Sequence, residues 1–352
     1  MDVVHTGYAP GVRGHRVPCR PRRATTWEYE TLGSQVGIGA CIRGGSLQQA
    51  TPFPGRTTME IPAPRTPLVF RAYSTSLSAL TAFGNLLTGA FRGVWLGILT
   101  QRQLELMDAL HHMGWSAGGF QPIDYSRTTY NNRGLWVWER ELVTRFFSNQ
   151  RPILLLAAGA GRELLALTRM GYQVDAYECN PELVAHGNRI LREQGLNCTI
   201  RSIGREECPA GPRCYGGAIV GWSAYMLIPG RERRIRLLRT IATRLEPESP
   251  LLISFFGVTS HGLEQRATYY VGNILRTLLR RPRLDLGDSL APTFVHYFTR
   301  EEIEGELAAA GFRLEAHSIT GYGRAVARLI VTEDAPDAAP RHVGVEMRQG
   351  PA

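Results

Sequence analysis

The chain has 352 residues, 43% of them hydrophobic, which is enough to bury the core of one large domain with additions and excludes a fibrous or wholly unfolded protein. Its net charge of +9 does not by itself mark a phosphate-binding surface: all 40 basic residues are arginine, a bias that fits a GC-rich coding sequence, so no nucleic-acid partner is expected. The six cysteines (Cys19, Cys41, Cys179, Cys198, Cys208 and Cys214) form no C-x-x-C pair and no Cys/His metal spacing. They point to free or buried thiols in a reducing cytoplasm, and to no metal.

Residues 1–70 hold Arg13, Arg16, Arg20, Arg22 and Arg23 among prolines and glycines, without a sustained apolar period. They are expected to be loose coil, with no secretory signal and with Met59 as an alternative start. Residues 76–113 carry Leu80, Phe83, Leu87, Phe91, Val94 and Ile98 at helical spacing. That pattern predicts a helix packed on the main domain. Leu77–Leu99 holds one charge, Arg92, but its glycines and polar residues dilute the hydrophobicity, so a packed helix is favoured over a membrane span. Thr100 and Gln103 form a capping box for a second helix through Leu110.

A helical extension over 71–120 thus precedes a main domain over 121–333, with a coil tail from 334. The domain opens on Tyr125, Arg127, Tyr130, Asn131 and Trp136, placed either as a lid or as an aromatic helix start packed on the core. Ile153–Leu156 is an apolar run that meets the turn Gly159-Ala160-Gly161. A helical pattern follows, then a second apolar run ending on Glu178, 17 residues past the second glycine. Strand, glycine turn, helix and strand-end carboxylate are the parts of a nucleoside site. Glycines let a ligand approach the backbone, and a carboxylate can accept from both ribose hydroxyls. The pyrophosphate-cradling G-x-G-x-x-G is incomplete, because Leu164 stands at the third glycine.

Further strands are predicted at Cys198–Ile203, Gly217–Gly221 and Leu251–Phe256, with helices between them that include Arg231–Leu245. Alternation of this kind builds a mainly parallel sheet with helices on both faces. Leu263–Arg280 is a helical insertion within 258–290. Ile274, Leu278 and Leu279 are its expected packing stripe, and Arg280, Arg281 and Arg283 its solvated end. Thr299 and Glu302 cap a last helix, Gly311 stops it, and two strands follow (Phe312–Ala316 and a run through Val331).

The glycine turn with Glu178, together with this terminal helix and hairpin, resembles the class I S-adenosylmethionine-dependent methyltransferases over roughly Gln121–Val331. The resemblance implies a Rossmann-like seven-stranded sheet in the order 3-2-1-4-5-7-6, with only the seventh strand antiparallel. It implies S-adenosylmethionine as cofactor, bound near Ala157, Gly159, Gly161 and Glu178, and a small-molecule acceptor methylated at oxygen or nitrogen. Cys179 and Asn180 follow Glu178 at the expected ribose pocket. The chain departs from the family pattern at Leu155, at Ala157 where a glycine is usual, and at Arg205 where an adenine-contacting Asp is usual. Glu206 or Glu207 is left as the substitute.

Trp222 ends the fourth strand and is placed either against a sulfonium or in ordinary packing. Tyr130 is a candidate to cover the cofactor. His261 and His296 are candidate general bases or hydrogen-bonded structural histidines, with His296 expected beneath the insertion helix as that helix walls the acceptor pocket. Two rivals stay open: an NAD(P)-dependent Rossmann oxidoreductase, and a non-catalytic nucleoside- or partner-binding protein. No membrane partner is expected.

Overall fold

The structure is a computed structural model that describes residues 68–114 and 124–330. Residues 1–67 of the expected N-terminal coil, the alternative start at Met59, the domain start at Gln121 and the coil tail lie outside the described residues, while 68–70, expected as coil, belong to the first helix.

Nine strands form one sheet system. β1 (Ile153–Leu156), β2 (Val174–Glu178), β3 (Ile200–Ser202), β4 (Gly217–Val220) and β5 (Pro250–Gly257) are parallel, in the order β3-β2-β1-β4-β5. β9 (Gly323–Leu329) runs antiparallel beside β5 and carries β8 (Phe312–Ser318) on its other edge. The order of these seven, β3-β2-β1-β4-β5-β9-β8, with β9 alone reversed, is the Rossmann-like class I methyltransferase order that the resemblance implied.

Alternation along β1 shows why the run is apolar throughout. Leu154 and Leu156 enter one buried cluster with α7 (Arg231–Ala242) and α9 (Arg300–Ala309). Ile153 and Leu155 enter the other with α4 (Val137–Phe146), α5 (Arg162–Arg169) and α6 (Pro181–Glu193). A strand covered on both faces has no polar face to show. On the first side, the buried Arg234 guanidinium meets Glu306 at 2.7 Å, and Tyr225 Oη donates to the same carboxylate at 2.6 Å. This ties α7 to α9.

The capping boxes of Thr100 with Gln103 and of Thr299 with Glu302 both form. A hairpin that the sequence did not suggest, β6 (Asp288–Leu290) with β7 (Phe294–Phe298), joins the end of β5 through Phe256 and Gly257. Its strands have three and five residues, too short for a period to register.

α1 (Leu68–Ile98) corrects an expectation. It does pack on the rest of the protein, but not through its apolar stripe: Leu80, Phe83, Leu87, Phe91, Val94 and Ile98 are 40–67% exposed. The seam is Gly89, Gly93 and Gly97, laid against α8 (Leu263–Leu278). A Cβ on Gly89 would stand 2.3 Å from Glu264 O, and one on Gly93 2.8 Å from Thr268 O. Glycines bring two backbones close enough for Thr268 Oγ1 to donate to Gly89 O at 3.0 Å. The stripe expected to pack α8 fails in the same way, with Ile274 62%, Leu278 73% and Leu279 47% exposed. Among the described residues no single helix is long and apolar enough to cross a membrane.

Candidate functional site

A cleft opens at the carboxyl ends of β1, β2 and β4, where open α/β sheets bind ligands. Its floor is the turn after β1. Ala157 and Gly159 both sit in the left-handed region, at φ 54° and 56°, which explains why glycine is usual at the first position: an alanine there is strained by about 1–2 kcal/mol. A Cβ on Gly159 would meet nothing within 4 Å, so a ligand can come down onto the backbone. Gly161, at φ 98°, caps α5 and lies outside the cleft lining.

Glu178 is 5% exposed at the end of β2. Its Oε2 accepts from Gly159 N–H at 2.8 Å and its Oε1 from Asn180 N–H at 2.8 Å. Two backbone donors fix the carboxylate, and each oxygen keeps a lone pair for a further donor. Asn180 in turn caps α6 by accepting from Glu182 N–H. Beside them, burial and then the Glu178 charge push the Cys179 thiol up to about 12, so it stays protonated and acts as part of the wall. Glu206 also lines the cleft, but its carboxylate is held by Arg233 at 2.6 and 2.7 Å.

The opposite wall comes from segments with no conspicuous motif. α2 (Gln101–His112) contributes Asp108, Ala109 and His112; the Asp108 carboxylate takes Arg205 at 2.7 Å and lies 3.5 Å from His112 Nε2. His112 meets the Tyr125 ring edge-on at 5.0 Å, and Tyr125 meets Tyr130 likewise. Of the expected lid, Tyr125, Tyr130 and Asn131 line the cleft, while Arg127 and Trp136 do not.

Trp222 lines the cleft at the end of β4, between the rings of Trp136 at 5.6 Å and Tyr322 at 5.2 Å. The Trp222 backbone N–H donates to Glu163, which with Glu139 holds the buried Arg162 guanidinium at 2.6–2.7 Å. Burial works against the Arg162 charge, but the two carboxylates outweigh it and raise its pKa. Asp108 with His112, and Arg162 with Glu163, are charged or titratable cleft residues that the sequence did not disclose. Their only sequence signals were an i, i+4 acid–histidine pair on a capped helix and a charged dipeptide straight after the glycine turn.

His296 and His261 lie outside the cleft lining. His296 is on β7, 1% exposed, with Nδ1 2.7 Å from Asp288 Oδ1; His261 Nε2 sits 3.1 Å from Glu302. Both converge on Gly287, where a Cβ would lie 2.9 Å from each ring. On the β6–β7 hairpin, His296 also has its Nε2 4.0 Å from Glu302 of α9. α8 contributes no lining residue; its seam is taken by α1, so it does not wall the cleft as expected.

No protein-family profile matches the sequence, and no curated protein does. Solved structures do resemble it. An S-adenosylmethionine-dependent methyltransferase from Methanosarcina mazei is 19% identical, with 56% of this chain and 100% of that chain covered and a TM-score of 0.46. The amino pentose methyltransferase CalS10 from Micromonospora echinaspora is 14% identical over 60% and 99% of the two chains, at 0.42. The [4+2]-cyclase SpnF is 14% identical over 55% and 80%, also at 0.42.

Proposed function

We propose that this chain is an S-adenosylmethionine-dependent methyltransferase acting on an oxygen or nitrogen of a small molecule. The observation that carries this reading is the charge and geometry of the cleft. Five carboxylates (Asp108, Glu163, Glu178, Glu206 and Glu207) and two guanidiniums (Arg162 and Arg205) line it, in a chain of net charge +9. An anionic cleft suits a cationic sulfonium nucleoside. It repels a pyrophosphate, which needs bare N–H groups at a helix start; here Glu163 stands in the first turn of α5. That disfavours the dinucleotide oxidoreductase.

The residues present fit the cofactor. Glu178 accepts from the ribose hydroxyls, Gly159 lets the ligand reach the turn, and Ala157, Cys179 and Asn180 complete that end. Glu206, held by Arg233, borders the adenine end. Tyr130 and Trp222 supply ring faces for a cation. When bound, the cofactor supplies an electrophilic methyl group. The protein then has to align an acceptor, exclude water and receive a proton. Neither His261 nor His296 reaches the cleft, so His112, whose imidazole lies in the wall beside Tyr125, takes the role of proton acceptor.

Calorimetric titration tests the reading. The chain binds S-adenosylmethionine and its demethylated product but not NAD, and Glu178→Ala weakens that binding by about 2–4 kcal/mol. NAD binding with no response to S-adenosylmethionine would favour the oxidoreductase. Cofactor binding without turnover on a broad metabolite panel leaves a non-catalytic nucleoside-binding protein. His112→Ala lowers turnover about 10²–10⁴-fold with cofactor affinity retained, and full activity in that variant removes the histidine from the chemistry.

A further inference from the structure

The apolar stripe of α1 has no partner among the described residues. Leu77, Leu80, Phe83, Leu87, Phe91, Val94 and Ile98 recur every three or four residues and are 40–67% exposed. At about 100° per residue they lie opposite the glycine seam. Tyr73 (68% exposed) and Trp95 (44%) flank them. On α8, Leu263, Tyr270, Ile274 and Leu278 form a second stripe, 50–73% exposed. An apolar surface of this extent marks an interaction site.

The charges around the pair say what it meets. No acidic residue occurs from 68 to 104, or from 265 to 284. Arg71, Arg102, Arg266, Arg280 and Arg283 are exposed, and none of them forms an ion pair among the described residues. Arg276 and Arg281 instead donate to carbonyls at the end of α1. A second copy would set arginine against arginine. A surface of anionic headgroups would complement them, the leucines and phenylalanines would enter the acyl boundary, and Tyr73, Trp95 and Tyr270 would sit at the depth that amphipathic rings prefer.

We propose that α1 and α8 together form a face that docks on an anionic lipid bilayer, lying in its interface rather than crossing it. α1 spans about 46 Å, and no single described helix qualifies as a span; by length and composition α1 passes only as a pair with α2, bent by 114°, and α2 lines the cleft, so the lying mode is the one the fold supports. Leu99 and Thr100 join α1 to α2 across a bend of 114°. α2 walls the cleft, so docking holds the cleft on a two-residue tether from the bilayer. The inference does not depend on the proposed reaction.

The experiment is co-sedimentation of the full chain with vesicles of phosphatidylglycerol and phosphatidylcholine in equal parts, beside vesicles of phosphatidylcholine alone. We expect binding to the anionic vesicles, weakened by salt. The triple substitution F83S/L87S/F91S lowers the partition by at least about tenfold without moving the thermal midpoint, because these side chains are already exposed. The substitutions R266Q/R280Q/R283Q also lower it, by removing charge while leaving the apolar stripe. A chain that ignores both vesicles, or binds them equally whatever the salt, overturns the proposal. So does binding that survives F83S/L87S/F91S, which would place it in another segment, and so does resistance to alkaline carbonate, which would show a span. A dimer in solution that becomes monomeric in the F83S/L87S/F91S variant, with no vesicle binding, assigns the face to a second copy and ends the lipid reading.

Discussion

In β1, β4 and the first six residues of β5 every side chain is buried, whereas on α1 the residues buried are three glycines and Leu96 while the large apolar stripe faces outward. Both segments are apolar and periodic. The difference lies in what each packs against. A sheet strand is sandwiched by helices on two sides, so its apolar side chains have nowhere else to go. α1 meets one helix at backbone distance, where only glycine fits, and its bulky residues are excluded from the contact. Hydrophobic period therefore locates a face, and close approach decides which face is inside.

That contrast can be broken with substitutions. Leu155→Ala in β1 should cost about 2–5 kcal/mol in chemical denaturation, as an emptied core site does. If it costs no more than a surface change, the sheet is not the core described. Gly93→Val should cost about 1–3 kcal/mol by forcing α1 and α8 apart, since even its first carbon would lie 2.8 Å from Thr268 O. A neutral Gly93→Val would mean that the seam is absent in solution. Ala157→Gly should stabilise the fold by about 1 kcal/mol by releasing left-handed strain, detected as a higher midpoint; a lower one would place the residue in another conformation. Phe91→Ser should stay within about 0.5 kcal/mol, because the ring is 64% exposed. A large loss there would show that something covers the stripe.

A pH series sharpens the sheet side of the comparison. Burial tends to raise the Glu302 pKa, but the His261 hydrogen bond and the Thr299 N–H outweigh it and hold the carboxyl below its ordinary value. A lowered pKa means stability that is complete above the unfolded-state value of about 4.3 and is lost as pH falls through the folded one. The gap in midpoint between the parent and Glu302→Gln should therefore close on acidification. A gap that widens toward low pH would show that Glu302 binds its proton more tightly in the fold.

Much of the site was legible because its parts are local. Gly159 and Glu178 are set by one strand–turn–helix–strand unit, and chain geometry alone brings a strand-end carboxylate beside the preceding glycine turn. Capping at Thr100 and Thr299 spans three residues and was equally readable. Asp108 and His112 were not, because they reach the cleft only through the placement of α2 in the fold. His296 misled for the same reason: its direction depends on the β6–β7 hairpin, whose strands are too short to leave a period.

The sequence by itself determined the glycine turn, the strand-end carboxylate, the apolar strands and the helix caps, since each follows from spacing within one unit or from a run that must be buried on two faces, while the strand order came from the family resemblance. Only the tertiary structure decided which wall closes the cleft, where the two histidines point, and which face of α1 is inside. Those outcomes depend on contacts between segments tens to hundreds of residues apart, such as Gly89 with Thr268 and Arg205 with Asp108. A single segment carries its own periodicity and chemistry, but it does not carry the shape of the surface it will meet.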